Sequence, residues 1–405
     1  MDARIAIVGA GPAGALLAYL LSSRGVDTLL IERQSDFARE FRGEILQPSG
    51  IRALEASGIR LDVLRTARPR FFEAYLRGRC FFSVEVDDPE ALIPTAVSQP
   101  HLLEHLVERG QATGHLEFLR GTALRGLEPR DAGFEMRLLE SGRDSEARRR
   151  VPFVIGADGR ASLVRKRIAP RVVTRSTPLD IVWFKLPLPD AWKVAPRGRF
   201  EMGGGHLLIS VNSPDDQLQT AWVIIKGTYG ALRKRSPAEW AEEMAAHADP
   251  ELAEHILLHR DSMRSPFLLN AVTDRVVGWT APGALLIGDA AHTMSPVGGQ
   301  GINLALRDAI VAANELVPAL RSGGDLDTAA ARVESLRARE IDRVQRIAAV
   351  PPRIVMGTTA AHAIARRGLA MLGRLSRFGA IREGIGRNPV LSALLDGVTE
   401  VHLEV

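Results

Sequence analysis

The start of the chain carries three glycines and one acid with the spacing that dinucleotide binding requires: Gly9, Gly11, Gly14 and Glu32. The first glycine permits a tight turn, the second lets the backbone approach a pyrophosphate, and the third lets a helix pack closely on a sheet. The helix N-terminus then offers free N–H groups to the anion, and the acid can accept hydrogen bonds from ribose hydroxyls. The pattern favours a dinucleotide site over a purely structural glycine turn, but it does not distinguish FAD from NAD.

The flanking sequence predicts the elements that must position these residues. Residues 4–8 form a short apolar run typical of a buried parallel strand, and residues 15–23 have helical spacing. A second apolar run, residues 28–31, ends directly at Glu32. The order strand, glycine turn, helix, strand and acid predicts a βαβ unit with the pyrophosphate at the helix N-terminus.

A later segment combines another apolar strand with an acid and a glycine-rich turn. Residues 284–287 run directly into Gly288 and Asp289, and the turn of residues 295–303 precedes a helical run. An acid at a strand end can hold a polyol chain, and a glycine turn that opens a helix directs backbone N–H groups at an anionic ring. This segment favours a flavin as the dinucleotide.

Two more segments, residues 41–48 and 153–165, belong with the glycine turn near the start of the chain and the segment of residues 284–303. In this order the segments resemble those of the single-component (class A) FAD-dependent monooxygenases of the para-hydroxybenzoate hydroxylase type, over residues 1–320. The resemblance implies an α/β fold with a Rossmann-like FAD-binding domain of the glutathione-reductase type. It also implies an inserted mixed β-sheet domain for the substrate, and C-terminal helices.

The resemblance further implies which residues contact FAD. These candidate cofactor-binding residues are Gly9, Gly11, Pro12, Ala13, Gly14, Glu32, Arg33, Arg42, Gln99, Asp158, Gly159, Arg165, Gly288, Asp289, Gly299, Gln300, Gly301, Ile302 and Asn303. Asp289 would hold the ribityl chain, and the backbone of residues 298–303 would face the pyrimidine edge of the flavin. The catalytic candidates are Pro296, Gly298 and Gly299, a loop beside the isoalloxazine in which no side-chain base is assigned.

Several of these residues have a plainer alternative role. Asp289 could cap a helix, Arg42 could be a solvated surface charge, and Gln99 could simply lead into the helix that follows it. Asp158 could serve only to shape the turn after it. We interpret His292 as structural and not as a catalytic base.

The implied reaction is hydroxylation of a small aromatic or polycyclic substrate through a flavin C4a-hydroperoxide, with NADPH or NADH as transient reductant and O2 as co-substrate. Because the sequence has no second glycine-rich βαβ unit, we expect the nicotinamide nucleotide to bind along a groove near Arg42 and Asp158. The alternative is a FAD-dependent reductase of carbon double bonds, which would turn over without oxygen. The hydroxylase for which the family is named has an arginine in the stretch matched by residues 217–220, so its substrate cannot be assumed here.

We divide the chain into three predicted parts. These are a discontinuous FAD-binding domain (residues 1–70, 96–175 and 268–345), a substrate-binding β-sheet domain (residues 71–95 and 176–267) and a C-terminal helical segment (residues 346–405). Alternating apolar residues predict an exposed hairpin within residues 68–95 and three strands within residues 178–230. Four of the five tryptophans lie between positions 183 and 240, where an aromatic pocket would suit a flat substrate. The basic amphipathic stretch near residues 366–378 is expected to pack over the substrate domain, with membrane contact as the alternative.

The composition argues against several other classes of protein. The 405 residues carry a net charge of +4, from 52 basic and 48 acidic side chains, and so small an excess does not indicate nucleic-acid binding. The single cysteine, Cys80, excludes a disulfide within the chain and a cysteine-cluster metal site. No apolar stretch approaches about 18 residues, and the N-terminus has no leader-like pattern. We therefore expect a cytoplasmic protein, monomeric or homodimeric, without stable membrane insertion.

Overall fold

The computed structural model describes residues 4–38, 44–168, 170–175, 177–203, 205–263, 266–375 and 389–405. Arg42, one of the predicted cofactor-binding residues, lies outside these described residues. Within them, helices and strands form layers around two large sheets, which confirms the predicted α/β fold class.

The strands of the described residues are numbered in chain order. They are β1 (Ile5–Val8), β2 (Thr28–Glu32), β3 (Ile45–Leu46), β4 (Thr66–Ala67), β5 (Phe71–Leu76), β6 (Arg79–Glu85), β7 (Thr95–Val97), β8 (Leu116–Arg120), β9 (Thr122–Arg130), β10 (Gly133–Glu140), β11 (Ala147–Val151), β12 (Phe153–Gly156), β13 (Arg171–Arg175), β14 (Leu179–Pro187), β15 (Arg197–Gly203), β16 (His206–Asn212), β17 (Gln217–Ile225), β18 (Phe267–Leu269), β19 (Thr273–Val277), β20 (Thr280–Ala281) and β21 (Ala284–Leu286).

The α-helices of the described residues are numbered in the same way. They are α1 (Pro12–Ser22), α2 (Pro48–Ala56), α3 (Gln99–Gln111), α4 (Leu163–Ile168), α5 (Asp190–Val194), α6 (Tyr229–Leu232), α7 (Pro237–Ala245), α8 (Pro250–Leu258), α9 (Gln300–Ser322), α10 (Leu326–Ala348), α11 (Val350–Met356), α12 (Ala360–Leu375) and α13 (Pro389–Leu395).

The first large sheet has six strands in the order β20–β21–β12–β1–β2–β8, and only the edge strand β20 is antiparallel to its neighbour. The inner strands β1, β12 and β21 are buried apolar runs because both faces are covered, and Ile5, Ala6 and Ile7 are completely buried. Helix α1 packs on α3 and α9, and from Ala13 onward every one of its residues is buried. The predicted βαβ unit is therefore present.

Three smaller sheets accompany the first. β9, β10 and β11 form an antiparallel sheet, and β3, β7 and β4 form another. β13 pairs with β19 in a two-stranded ribbon. This ribbon lies on two of the four stretches of the described chain that connect the first large sheet with the second.

The second large sheet has seven strands in the order β18–β14–β17–β16–β15–β5–β6. All neighbours are antiparallel except β15 and β5, which run parallel, so the sheet is mixed. Its back face packs on α7 and α8 through a core that includes Phe184, Trp222 and Trp240.

The opposite face, called the front face below, carries a continuous row of apolar side chains. The backbone register places Phe200, Ile209, Ala221 and Trp183 side by side across four strands. Helix α11 covers one end of this face through Met356. Phe200 is 38% exposed, so the face is not filled by the described residues.

The predicted strands of this sheet can be compared with the observed ones. The predicted exposed hairpin is β5–β6, which forms one edge of the large sheet, and the three predicted strands are β14, β16 and β17. The sequence did not predict β15. The charged side chains of Arg199 and Glu201 point into the protein there, each only 1% exposed, so the strand lacks the usual apolar alternation.

The C-terminal part is helical, as expected. Helix α12 contacts β6, and Ala370 packs near Phe81, so this helix lies over the second sheet as the sequence favoured. Val398 and Val405 pack against the core of the first sheet. Among the described helices, none combines the length and apolar character needed to cross a membrane.

Candidate cofactor and substrate site

The glycine turn between β1 and α1 has the geometry that a close backbone approach requires. Gly9 has a φ of +102°, and a Cβ atom there would lie 2.4 Å from the carbonyl oxygen of Ala157. A Cβ on Gly14 would lie 1.9 Å from the carbonyl oxygen of Gly9. Both positions therefore exclude any side chain, and α1 can sit directly against the end of the sheet.

The N-terminus of α1 is free to bind an anion. Its first intrahelical hydrogen bond is donated by the amide of Ala15 to Gly11, so the amides of Ala13 and Gly14 point out of the helix end. Pro12 occupies the first helical position and has no N–H. Partial positive charge at this end of the helix favours a pyrophosphate.

Glu32 lies beside this turn, at the end of β2. Its side chain is 4% exposed, and its carboxylate accepts hydrogen bonds from the amides of Ala10 (2.9 Å) and Gln34 (3.0 Å). The acid is thereby fixed next to the glycine turn, where the sequence placed it. Its neighbour Arg33 is exposed.

The turn after β21 brings a second acid to the same sheet edge. Gly288 has a φ of +58°, and the Asp289 side chain is 36% exposed and paired with Arg160 at 3.3 Å. Arg165 donates hydrogen bonds to the carbonyl oxygens of Asp289 (3.4 Å) and Ala290 (3.0 Å). Arg165 therefore holds the backbone of this turn.

Asp158 is engaged within its own segment. Its carboxylate accepts hydrogen bonds from the amides of Leu163 (2.6 Å) and Val164 (3.3 Å) and from the hydroxyl of Ser162. Burial raises the pKa of this carboxyl group, and these hydrogen bonds partly oppose the shift. The geometry agrees with the plainer role of shaping the turn before α4. The next residue, Gly159, has a φ of +76°.

The predicted flavin-side loop forms the entry to α9. Gly298 and Gly299 have φ values of +79° and +62°, and Gly299 is the N-terminal residue that precedes the helix. Asn303 donates to the carbonyl oxygen of Gly299 (2.7 Å) and accepts from the amide of Gln47 (2.8 Å), while Gln47 donates to Gly298 (2.8 Å). Gln300 donates to Gly298 at 3.1 Å. These side chains hold the loop through its carbonyl oxygens, and the amide of Gly299 donates to the carbonyl oxygen of Pro296 at 3.1 Å.

Three further predicted residues have clear positions. A Cβ on Gly301 would meet open space, so this helical position borders a gap. The side chain of Ile302 is buried in the main core. Gln99 is buried at the first turn of α3, where Leu102 and Leu106 are completely buried.

His292 belongs to a buried ionic cluster behind the turn. Its Nε2 lies 2.6 Å from Asp308, which also accepts from the Nε of Arg337 (2.7 Å) and the amide of Gly288 (2.9 Å). The ring is 1% exposed. This position agrees with the structural role that we assigned to it.

The front face of the seven-stranded sheet meets the flavin-side loop. Ile45 lies 3.5 Å from the position of a Cβ on Gly299. The preceding residue, Glu44, lies close enough to Lys185 and Gln219 for both to act on its ionisation. Both of these residues point to the front face, two positions along their strands from Trp183 and Ala221. The loop and the apolar row therefore border the same space.

The described residues fit FAD. Helices α1 and α9, whose first turns face this site, begin after glycines and lack a side-chain cap. By contrast, α7, α8 and α10 are capped by Ser236, Asp249 and Asp325. Other described helices, such as α2 and α3, also lack a side-chain cap, but α1 and α9 begin at this site, offer amides to the pyrophosphate and to the flavin ring, and Gly301 leaves room beside α9.

Sequence reasoning missed several residues that build the site. Gln47 fastens the flavin-side loop, Arg160 pairs with Asp289, and Asp308 holds Gly288. Gln300 also donates to the carbonyl oxygen of Leu394, far along the chain. Gln47 and Arg160 had a signal, because they lie within the segments of residues 41–48 and 153–165, whereas Asp308 had none.

Comparisons with known proteins agree with this geometry. The FAD binding domain family matches residues 2–343. The 6-methylpretetramide 4-monooxygenase of Streptomyces rimosus is 34% identical over 397 residues, a match that covers 95% of this chain and 91% of that protein. A 3-(3-hydroxy-phenyl)propionate/3-hydroxycinnamic acid hydroxylase of Paraburkholderia xenovorans is 26% identical over 76% of this chain, which spans only 49% of that longer protein.

A solved structure shares the fold. The p-nitrophenol 4-monooxygenase PnpA of Pseudomonas putida DLL-E4 has a TM-score of 0.79, with 16% identity, over 98% of this chain and 99% of that chain. With the match over residues 2–343, these findings settle the family. The chain belongs to the FAD binding domain family and, within it, to the class A FAD-dependent aromatic monooxygenases.

Proposed function

We propose that this FAD-dependent monooxygenase hydroxylates a flat polycyclic aromatic substrate, with NADPH or NADH as reductant and O2 as co-substrate. The observation that carries the proposal is the front face, where apolar side chains of four neighbouring strands lie in register. A row of this width suits a fused ring system better than a single ring. The name of the relative from Streptomyces rimosus points to the same substrate class.

FAD, when bound, supplies the reduction and oxygen chemistry. The protein contributes position, charge and exclusion of water. The amides at the start of α9 would favour negative charge on the adjacent ring edge, as the helix dipole requires. Met356 of α11 and the apolar front face would keep water away from the substrate.

We also propose the cofactor roles of individual residues. The amides of Ala13 and Gly14 would bind the pyrophosphate, Glu32 the ribose, and Asp289 the ribityl chain. The support is that all four lie at the carboxyl edge of the parallel sheet, at strand ends or on the helix that follows one. The nicotinamide nucleotide would bind transiently in the groove near Asp158.

The domain division stays a proposal, with support from the strand order. Every strand of the six-stranded sheet falls within residues 1–70, 96–175 or 268–345. The strands of the seven-stranded sheet fall within residues 71–95 and 176–267, apart from the end of β18. We further propose a cytoplasmic enzyme, monomeric or homodimeric, because its reductant is a cytoplasmic nucleotide.

A substrate series tests the proposed function. Purified enzyme with bound flavin is mixed in air with NADPH or NADH and with phenols of one, two, three and four fused rings. We expect the polycyclic members to accelerate nucleotide oxidation and to gain one oxygen atom by mass spectrometry. Preference for the single-ring phenols, with oxygen insertion, would overturn the assigned substrate class.

A further inference from the structure

Glu44 is a half-buried acid at the mouth of the space between the flavin-side loop and the front face. Its backbone carbonyl accepts a hydrogen bond from the amide of Val97 at 2.7 Å, which fixes its place beside β7. Its Oε2 atom is shielded from solvent and has no hydrogen-bond partner among the described residues. A buried carboxyl oxygen without a partner is costly, so it marks a position where a ligand group would complete the site.

The surroundings of this carboxyl group combine polar and apolar chemistry. Gln219, only 3% exposed, and Lys185 stand opposite each other on β17 and β14, and both point to the front face. Ala221 and Trp183 lie two residues away on the same two strands, form the next pair on this face and belong to the apolar row. A flat ring on that row would therefore present its edge to Glu44.

The charges near Glu44 come from two described side chains. Lys185 provides a cation, and it is itself paired with Asp215 at 2.7 Å. Burial raises the pKa of the Glu44 carboxyl group, Asp215 raises it further, and Lys185 with Gln219 partly lowers it. Glu44 is therefore a stronger base than an exposed glutamate, because its raised pKa lies closer to that of a phenol.

We propose that Glu44 accepts the hydrogen bond of a phenolic hydroxyl on the substrate and takes up its proton. In this step the O–H bond of the phenol breaks and an O–H bond forms at Oε2 of Glu44. The electron pair stays on the phenolate oxygen and is delocalised to the ring carbons ortho and para to it. Lys185 stabilises the resulting negative charge. The inference rests on the proposed function and narrows the substrate class to hydroxylated polycyclic aromatics.

A binding experiment with two probes tests the role of Glu44 without turnover. The probes are 2-hydroxyanthraquinone, whose visible absorption changes on ionisation, and 2-methoxyanthraquinone, which has no proton to donate. Each is titrated into oxidised, flavin-loaded enzyme, with flavin content and thermal unfolding recorded for every variant. We expect wild type to prefer the hydroxyl probe about tenfold, as one charge-assisted hydrogen bond allows. The bound hydroxyl probe should show the phenolate spectrum below its solution pKa.

The Glu44→Gln variant keeps the size of the side chain and removes the base. We expect it to bind both probes equally and to lose the phenolate spectrum, while its affinity for the methoxy probe stays unchanged. Glu44→Asp should restore part of the preference. The matched control is Glu117→Gln, because Glu117 lies on β8 in a surface ion pair with Arg149.

The dependence on pH provides a second readout. Because the acceptor is the carboxylate, the preference for the hydroxyl probe should grow as pH rises through the raised pKa of Glu44, and Glu44→Gln should abolish that rise. Equal affinity of wild type for the two probes, no binding of either, or an unchanged preference in Glu44→Gln would each overturn the inference. Oxygen insertion into polycyclic phenols is measured separately, so the proposed function can stand while this inference fails.

Discussion

A buried ionic cluster lies beside each of the two large sheets. The pKa of the central carboxyl group is lowered in one cluster and raised in the other. Asp308 in the FAD-binding region is completely buried, which alone would raise its pKa. His292 and Arg337 outweigh burial and hold that pKa well below its usual range. Glu201 in the seven-stranded sheet is equally buried, but burial and the nearby Asp249 raise its pKa to about 9.

The balance of charges explains the difference. Asp308 and Glu340 share two arginines, Arg307 and Arg337, which are themselves buried. Around Glu201, by contrast, Arg199 already pairs with the three carboxylates of Glu73, Asp249 and Glu251. A buried carboxyl group ionises only where enough cations remain for it, so Glu201 stays protonated near neutral pH.

The difference also follows what each region must do. The cluster of Asp308 holds the amide of Gly288, next to the acid proposed to bind the ribityl chain, and Glu340 accepts from Thr399 near the C-terminus (2.8 Å). The cluster of Glu201 lies behind the second sheet at the start of α8, away from the front face. One cluster therefore supports the cofactor turn, and the other joins a helix to a sheet.

The largest effect is expected from Asp308→Asn. The variant leaves the buried Arg337 with less negative charge and weakens the bond to Gly288, and breaking a buried pair costs about 3–5 kcal/mol. The free energy of unfolding from urea titration should fall by this amount, and bound flavin should fall with it. A variant with the stability and flavin content of wild type would show that this cluster does not support the turn.

Gly14→Ala should have the next largest effect. The added Cβ would lie 1.9 Å from the carbonyl oxygen of Gly9, and such overpacking costs about 1–3 kcal/mol. We expect FAD binding to weaken by up to about a hundredfold, measured by fluorescence titration of the apoprotein. The matched control is Gly230→Ala in α6, where a Cβ would meet open space. Equal affinities of the two variants for FAD would contradict the close approach of α1 to the sheet.

Glu201→Gln should leave stability near pH 5 almost unchanged and should remove part of its dependence on pH. In wild type the folded state keeps a proton between the ordinary pKa of 4.5 and about 9, so the free energy of unfolding falls as pH rises through this range. The slope from this group is at most about 1.4 kcal/mol per pH unit. The variant should match wild type near pH 5 and become the more stable protein at pH 8. Parallel curves from pH 5 to 9 would mean that Glu201 is ionised.

Arg160→Ala should have the smallest effect on stability. The pair with Asp289 is partly exposed on both sides, and such pairs contribute about 0–1 kcal/mol.

Asp289→Ala should leave stability similar and still reduce flavin content, if the acid binds the ribityl chain. Unchanged flavin content in Asp289→Ala would remove this residue from the cofactor site and leave it only its pair with Arg160.

The local parts of the fold could be predicted from the sequence. Gly9, Gly14 and Glu32 act within one βαβ unit, so their spacing was sufficient to place them. The contacts of Gln47 with Gly298, and of Asp308 with Gly288, join segments distant in the chain, and no local pattern encodes such partners. Strand β15 was missed for a related reason, because its inward Arg199 pairs with Glu73 of β5 and with Asp249 just before α8, which are distant in the chain.

The most direct test of the central claim is turnover of the purified, flavin-loaded enzyme with NADPH or NADH and a polycyclic phenol under ¹⁸O2. A monooxygenase should form a product that contains one labelled oxygen atom, and it should form none under nitrogen. Equal consumption of substrate under nitrogen, with hydrogen added in place of oxygen, would contradict the account and indicate a reductase on the same fold.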